Sequence, residues 1–595
     1  MLTSYKKHFA NLLTTHINQS LSNDQTSSNP ISSSSDFIFS SSSLIPLIEH
    51  PPENIPWDIA FPCFTLAKAF KQSPQNIAKN ICQKIQQNPD LRSSIFEKIE
   101  SVWPYINVHI NILALASKTL KKIHQQKEEY GKSKPNNKTV LIEYPWPNTN
   151  KPLHVWHVRN MLLGNCLANI YKANGYDVKK VDIINDRGVH ICKSMLAYKL
   201  FGYDQQPDKK TDHFVGDRYV RYATEQQKEP TLKSLIQDML LKREQGDPQT
   251  RQLWQKMNKW AIDGIYQTYK RFGTHIDKAY YESDHYLKGK DIVMEHLKDG
   301  IFEKQTNGKI VFKTKYSTDA PHVIIREDGT SIYITQDIAL WKLRYDDFHM
   351  DQMIYIVGSE QEHHFKVLFE IFEKLHYPFA SWSYHLSYGM VLLPDGKMKS
   401  REGNVVDADQ LADDMHQKAY EQISQRYPDL TQEQKHTRAE EVAMAAIKFY
   451  ILNHQANKSF TFFPDTSLTF EGETWPYIQY THARCSSLLG KSTQADDISV
   501  SPDATYGTPE EKQLIIQLAQ YPSIIKKGTR HNSPNHLTKY LFTLAQTYNT
   551  FYQKHHIASE EDQTIKLQRL SLVQATQTVL ANGLSLLGIT APQQM

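Results

Sequence analysis

Apolar positions along this chain change period several times, and each change marks a boundary. Ile77, Ile81 and Ile85 recur four apart within residues 58–117, the repeat of a helix that buries one face. A short N-terminal segment has similar helical character. Between them, residues 19–43 are rich in Ser and Asn, with serine runs at 32–35 and 40–43. Such a tract buries little apolar surface, so it predicts a surface insertion. Together these stretches predict an α+β domain over residues 1–130. Gly131, Pro135 and the charges of 132–138 then predict a linker, because they break helices and stay solvated.

Past the linker the pattern becomes α/β. Residues 139–144 read as a strand. Leu163, Cys166, Leu167 and Ile170 then share one helical face, Asn174-Gly175 stops that helix, and 177–184 reads as strand again. A strand, a crossover helix and a strand imply a right-handed unit in a parallel sheet. A second set follows, with strands at 331–335, 353–357 and 384–392 and a helix at about 363–375. A charged, mostly helical insertion over about 200–320 separates the two sets. From about 432 the chain reads as helix near 435–455, 474–489, 508–527, 535–554 and 563–588. The expected organisation is a Rossmann-type parallel-sheet core over 138–405, stem helices over 406–470 and an all-α bundle over 471–595.

Composition narrows the class. A chain of 595 residues is several domains long. With 68 Lys plus Arg against 64 Asp plus Glu, the formal charge of +4 does not by itself announce a nucleic-acid binder, so any basic surface is local. Cys63, Cys82, Cys166, Cys192 and Cys485 form no Cys-x-x-Cys pair, which argues against a zinc knuckle or a disulfide framework and fits a reducing cytoplasm. No run of about 18 apolar residues occurs, so no membrane span is expected.

Two stretches carry candidate chemistry. Loop 145–151 leads into His154-Val155-Trp156-His157 at a helix start directly after a strand. Unpaired N–H groups and partial positive charge at such a start bind polyanions, and both histidines can face phosphates there. Two surface histidines on a helix end would give the same pattern. The second stretch is Gly389-Met390-Val391-Leu392-Leu393-Pro394-Asp395-Gly396-Lys397-Met398-Lys399-Ser400-Arg401. A strand opening into a Gly-bounded loop crowded with cations suits a phosphate clamp, although an ordinary basic turn reads alike.

His154 to His157, followed by Arg159-Asn160, resembles the HIGH motif of class I aminoacyl-tRNA synthetases, and Lys397-Met398-Lys399-Ser400-Arg401 resembles their KMSKS loop. Within that class the arginyl enzymes are the match. Glu143 to Asn148 and Lys151-Pro152-Leu153-His154 resemble their form of the first motif, Asn185-Asp186-Arg187-Gly188 their Asn-Asp-x-Gly turn, and the segment from Gln361 to His364 their Gln-x-x-His. The stretch from Glu471 to Arg484 resembles their entry into the anticodon-binding domain.

The resemblance implies that arginine attacks ATP, with its Mg2+, to give arginyl-adenylate, and that the arginyl group then passes to tRNA(Arg). It places ATP at His154, His157, Met390, Lys397, Lys399 and Arg401, with Lys151, His154, His157 and Lys397 as the catalytic groups. L-arginine falls on Glu143, Asn148, Glu282, Tyr333, Asp337 and Gln361, and a planar guanidinium independently calls for paired carboxylates such as Glu282 and Asp337. Asp337 would equally serve as an acid near a helix start. Tyr477, Tyr480 and Arg484, with His482, are candidates for the anticodon loop, although tyrosines three apart also suit a buried helix face. No protein-bound metal is expected, and a cytoplasmic monomer is. The family pattern has Gly where Trp156 stands and small residues where Pro145 and Trp146 stand. The alternative reading is therefore a synthetase-like tRNA-binding protein with impaired adenylate chemistry.

Overall fold

The computed structural model describes residues 2–23, 38–49, 58–87, 95–286, 288–317, 321–378, 380–392, 406–463, 475–491 and 505–593. The first domain is built on strands β1 (Ile59–Pro62), β2 (Phe96–Val102) and β3 (Tyr105–Ile110), antiparallel in the order β1-β3-β2. Helix Pro74–Gln86 packs on this sheet. The Ser73 hydroxyl caps it by accepting from Asn76 N at 3.3 Å, Pro74 starts its first turn, and Ile77, Ile81 and Ile85 are buried. The described ends of the Ser- and Asn-rich stretch are helical. Residues 19–23 complete helix Leu2–Asn23, and Ser41–Leu44 form a short helix whose N-cap is Ser40 and whose Leu44 is buried. A serine that caps a helix start is structural despite its polarity.

The central domain begins with β4 (Thr139–Glu143), β5 (Asp177–Ile184) and β6 (Lys278–Tyr281). A small antiparallel sheet follows, of β7 (Glu303–Lys304), β8 (Ile310–Phe312) and β9 (His322–Ile325). Next come β10 (Gln352–Gly358) and β11 (Ser383–Tyr388). Five strands make one parallel sheet in the order β11-β10-β4-β5-β6. The first strand in the chain lies in the middle, so successive crossovers leave it in opposite directions. That is the topological switch point of a Rossmann-type sheet, where a crevice opens beyond the carboxyl ends of the strands. The period-two rule sorts the core. Val140, Ile142, Ile354 and Ile356 face one buried cluster, and Leu141, Val181, Ile183, Met353 and Tyr355 face another. Helices Val189–Phe201, Thr211–Lys228, Leu232–Gln245 and Pro248–Phe272 share a third cluster around Cys192, Met195, Phe214 and Met257. The charged stretch 200–320 also supplies the edge strand β6.

Two expected strands are corrected. Residues 331–335 do not form one: Ser331 makes a single bridge to Ile325, and helix Tyr333–Phe348 begins two residues later. Local alternation of β-branched residues favours strand, but Ile334, Ile338 and Trp341 bury together at helical spacing and outweigh it. The strand expected at 384–392 breaks at Gly389 into β11 and a separate β12 (Val391–Leu392), which pairs in parallel with β13 (Phe460–Thr461). Gly389 N donates to Ala456 O at 2.9 Å, and a Cβ at 389 would lie 2.5 Å from Ser459 N. Only glycine allows that approach.

Among the described residues beyond 406, β13 apart, the regular elements are the helices Ala408–Arg426, Gln432–Asn453, Trp475–Lys491, Pro509–Arg530, Asn535–Lys554 and Gln563–Leu586. This all-α part docks on helix Val155–Ala173 behind β4. Tyr171 Oη donates to Asn532 Oδ1 at 2.7 Å, and Asn169 Nδ2 donates to Leu586 O at 3.2 Å. None of the described helices is long and apolar enough to cross a membrane.

Candidate active site

Helix Val155–Ala173 follows the loop after β4, and its first turn lies at the switch point. His154 is the N-cap residue, in extended backbone. Its backbone N–H donates to His157 Nδ1 at 3.2 Å, and the two imidazole centroids lie 3.9 Å apart. Burial, reinforced by the cationic Lys151, pushes His154 down to about 3 and holds His157 well below its ordinary value. Burial also lowers Lys151. Both histidines are therefore neutral at pH 7, hydrogen-bonding groups at a helix start, with positive charge supplied by Lys151 and the helix itself.

The same helix grips the strand that leads toward the second motif. Arg159 is fully buried and donates to the carbonyls of Gly389, Ala456 and Lys458 at 2.5, 2.8 and 2.8 Å, with its guanidinium 4.7 Å over the Phe460 ring. Trp156 Nε1 donates to Val391 O at 3.1 Å. Met390, an expected nucleotide contact, is 42 % exposed beside them. Lys397, Lys399 and Arg401 lie outside the described residues.

Three of the expected arginine residues follow strand ends, and two lie in a helix. Asn148 follows β4 and bridges in parallel to Asn185, the first residue after β5. Glu282 follows β6, and Gln361 closes the turn after β10 and is exposed. Tyr333, 77 % exposed, opens the helix that carries Asp337 one turn later. Burial raises Glu282 to about 7, Arg187 opposes the rise, and the nearby charge of Asp337 adds to it. The charge of Asp186 raises Glu282 more than that of Asp337 does, and Arg243 adds to the opposing pull of Arg187.

Several partners were not assigned from the sequence. Arg187 packs over the Tyr286 ring at 3.6 Å, pairs with Glu244 at 2.5 Å and stands 3.8 Å from Glu282. It was legible as the variable position of the Asn185–Gly188 turn. His364 Nε2 lies 2.7 Å from Asp337 Oδ2, and burial opposed by that carboxylate leaves the imidazole raised overall. Glu143, expected beside the arginine pocket, is fully buried and forms an ion pair with Arg344 of the same chain. Trp146 adopts a left-handed backbone (φ 67°), its N–H donates to Asp182 Oδ1 at 3.0 Å, and its ring packs against the cluster containing Leu141. A left-handed tryptophan is strained and persists only where its surroundings dictate it.

Among the expected tRNA residues, Tyr480 is 42 % exposed, and the Arg484 guanidinium lies between two rings, 4.7 Å from Tyr480 and 5.1 Å from Tyr552. Tyr477 is half-buried against Phe542. His482 is buried, with Nδ1 2.8 Å from Pro592 O, so it serves packing. Asp212, His213 and Asp409 come together, but Lys210 Nζ lies 2.8 Å from both carboxylates and already supplies the countercharge.

Comparison with known proteins agrees with this geometry. Residues 119–463 match the family described as tRNA synthetases class I (R), catalytic domain, residues 478–595 the DALR anticodon binding domain, and residues 11–110 the arginyl tRNA synthetase N terminal domain. An arginine–tRNA ligase of Treponema denticola is 42 % identical over 550 residues, covering 91 % of this chain and 93 % of that one. One of Bacteroides thetaiotaomicron is 39 % identical, covering 89 % and 92 %. The arginyl-tRNA synthetase structure of Thermus thermophilus superposes with a TM-score of 0.79 at 25 % identity, covering 92 % of this chain and 96 % of that one. With three domain matches in chain order and the signature helix at the switch point of its sheet, this chain belongs to the class I arginyl-tRNA synthetases.

Proposed function

We propose that this chain uses ATP, bound with Mg2+, to activate L-arginine as arginyl-adenylate and then transfers the arginyl group to the 3′ end of tRNA(Arg). The arginine carboxylate attacks the α-phosphate, pyrophosphate leaves, and a terminal ribose hydroxyl of the tRNA takes the acyl group with release of AMP. No covalent enzyme intermediate is required. In this reading His154 and His157 donate hydrogen bonds to phosphate oxygens as charge grows on them, and Lys151, Lys397, Lys399 and Arg401 grip the outer phosphates. Glu282 and Asp337 take the guanidinium, with Asn148, Tyr333 and Gln361 around it. Tyr480 and Arg484 stack on unpaired bases of the anticodon loop, with Tyr477 supporting them. The N-terminal domain touches the tRNA elbow, and the chain acts as a monomer in the cytoplasm.

The observation that supports this reading best is the group of two half-buried, neutral histidines and a lysine at the helix start after β4, in a sheet whose edge strand β6 runs directly into the buried carboxylate of Glu282. Phosphate chemistry and cation recognition then meet across one crevice. Aminoacylation of purified tRNA(Arg) with each amino acid in turn tests it: arginine alone is expected to be charged. Charging of an amino acid without a guanidinium would overturn the pocket assignment, and tRNA binding without any charging would favour a binding protein.

A further inference from the structure

Strand β12 offers carbonyls in two directions. Met390 O and Leu392 O accept from the N–H groups of Phe460 and Phe462, at 3.1 and 2.8 Å. By the alternation of an extended backbone, the carbonyl of Val391 between them points the opposite way, toward the signature helix. The indole N–H of Trp156 donates to it there at 3.1 Å. The ring is half-buried, packs against the main core, and meets the His154 imidazole edge-on at 5.4 Å. Three residues on, Arg159 donates to Gly389 O at 2.5 Å. Residues three apart share a helix face, so Trp156 and Arg159 hold this segment at two carbonyls, while the Trp156 ring touches His154 of the same first turn.

We propose that Trp156 is a positioning residue for the nucleotide. Its indole fixes β12 against the His154–His157 turn, so that ATP meets helix and strand at a set spacing. The inference rests on the reading of ATP as substrate. Glycine at this position has no side chain to make the contact. Phenylalanine keeps the ring and loses the donor, leaving Val391 O without its side-chain partner.

The test uses the full chain with Trp156→Phe and Trp156→Gly. Equilibrium dialysis with labelled Mg-ATP gives Kd, steady-state aminoacylation gives separate KM values for ATP and arginine, and thermal unfolding reports stability. Trp156→Phe is expected to raise Kd and KM for ATP about 3- to 10-fold, the usual worth of one hydrogen bond. Trp156→Gly should raise them at least as much. The arginine KM should stay within about twofold in both, because the donor acts on the strand beside the nucleotide rather than on the guanidinium pocket. A general loss of structure would move both substrates and the unfolding midpoint together. ATP binding by Trp156→Phe equal to that of the native chain, or tighter binding by Trp156→Gly, overturns the proposal. If the native chain binds ATP and charges no arginine, the functional reading falls, while the Kd comparison still decides the role of Trp156.

Discussion

Glu282 should make arginine binding depend on pH near neutrality. The residue is only 8 % exposed, and burial raises its carboxyl from 4.5 to about 7 against the opposing pull of Arg187. A rise of that size corresponds to about 3 kcal/mol, at 1.36 kcal/mol per pH unit. The sign follows from proton binding. The folded chain holds this proton more tightly than the unfolded chain does, so the unfavourable contribution is absent below about 4.5 and complete above about 7. Stability from this group therefore falls as pH rises through that window. In the proposed pocket, bound arginine would add its charge to that of Arg187 and select the ionised carboxylate. Below about 7, the KM for arginine should climb up to tenfold per pH unit.

Glu282→Gln then has two opposite consequences. Without ligand the variant should be more stable than the native chain at pH 8, by up to about 3 kcal/mol, and little changed at pH 4.5. With arginine it loses a charge-assisted hydrogen bond worth about 1.5–3 kcal/mol, so KM at pH 8 rises roughly 10- to 100-fold and its slope below pH 7 flattens. The assays are arginine KM from pH 5.5 to 8.5 and urea unfolding of both chains at pH 4.5 and 8. A variant that keeps the native pH slope, or is destabilised at pH 8, would refute the reasoning.

Three further outcomes are expected. Arg159→Met leaves the carbonyls of Gly389 and Lys458 without this donor and takes one of two donors from Ala456 O, and urea unfolding should show a loss of more than about 3 kcal/mol; a loss under about 1 kcal/mol would contradict that role. His157→Ala should lower kcat for arginylation about 100- to 1,000-fold with the arginine KM little changed, as removal of a donor to developing phosphate charge does; a pure KM effect counts against it. Arg484→Ala removes the cation held between Tyr480 and Tyr552, and should raise KM for tRNA(Arg) about tenfold while leaving Kd for ATP unaltered, measured by equilibrium dialysis.

Much of this protein can be derived from its residues alone, wherever the determining interactions are local. The strands at 139–143 and 177–184 and the helix between them follow from an apolar repeat closed by Asn174-Gly175. The five last of the described helices follow from repeats long enough to outvote any single residue. His154 and His157 were legible as polar groups at a helix start directly after a strand, whereas Lys151, Glu282, Asp337 and Gln361 came from the resemblance to arginyl enzymes, with the chemistry of a guanidinium adding only that carboxylates suit it.

Tertiary structure decided the rest, because it settles competitions between local preferences and long-range contacts. Residues 331–335 carry strand-like residues, yet burial of Ile334 and Ile338 one turn apart makes the segment helical. Gly389 breaks a strand only because the 455–459 turn presses against it from 66 or more residues away. Nothing local to Glu143 foretells its ion pair with Arg344, far along the chain, and nothing local to Arg159 foretells the carbonyls it gathers. Sequence determines which groups are available and the period on which they repeat. Which buried charge meets which partner is determined by packing, since removing a charge from water is costly and only a completed fold supplies the compensating group.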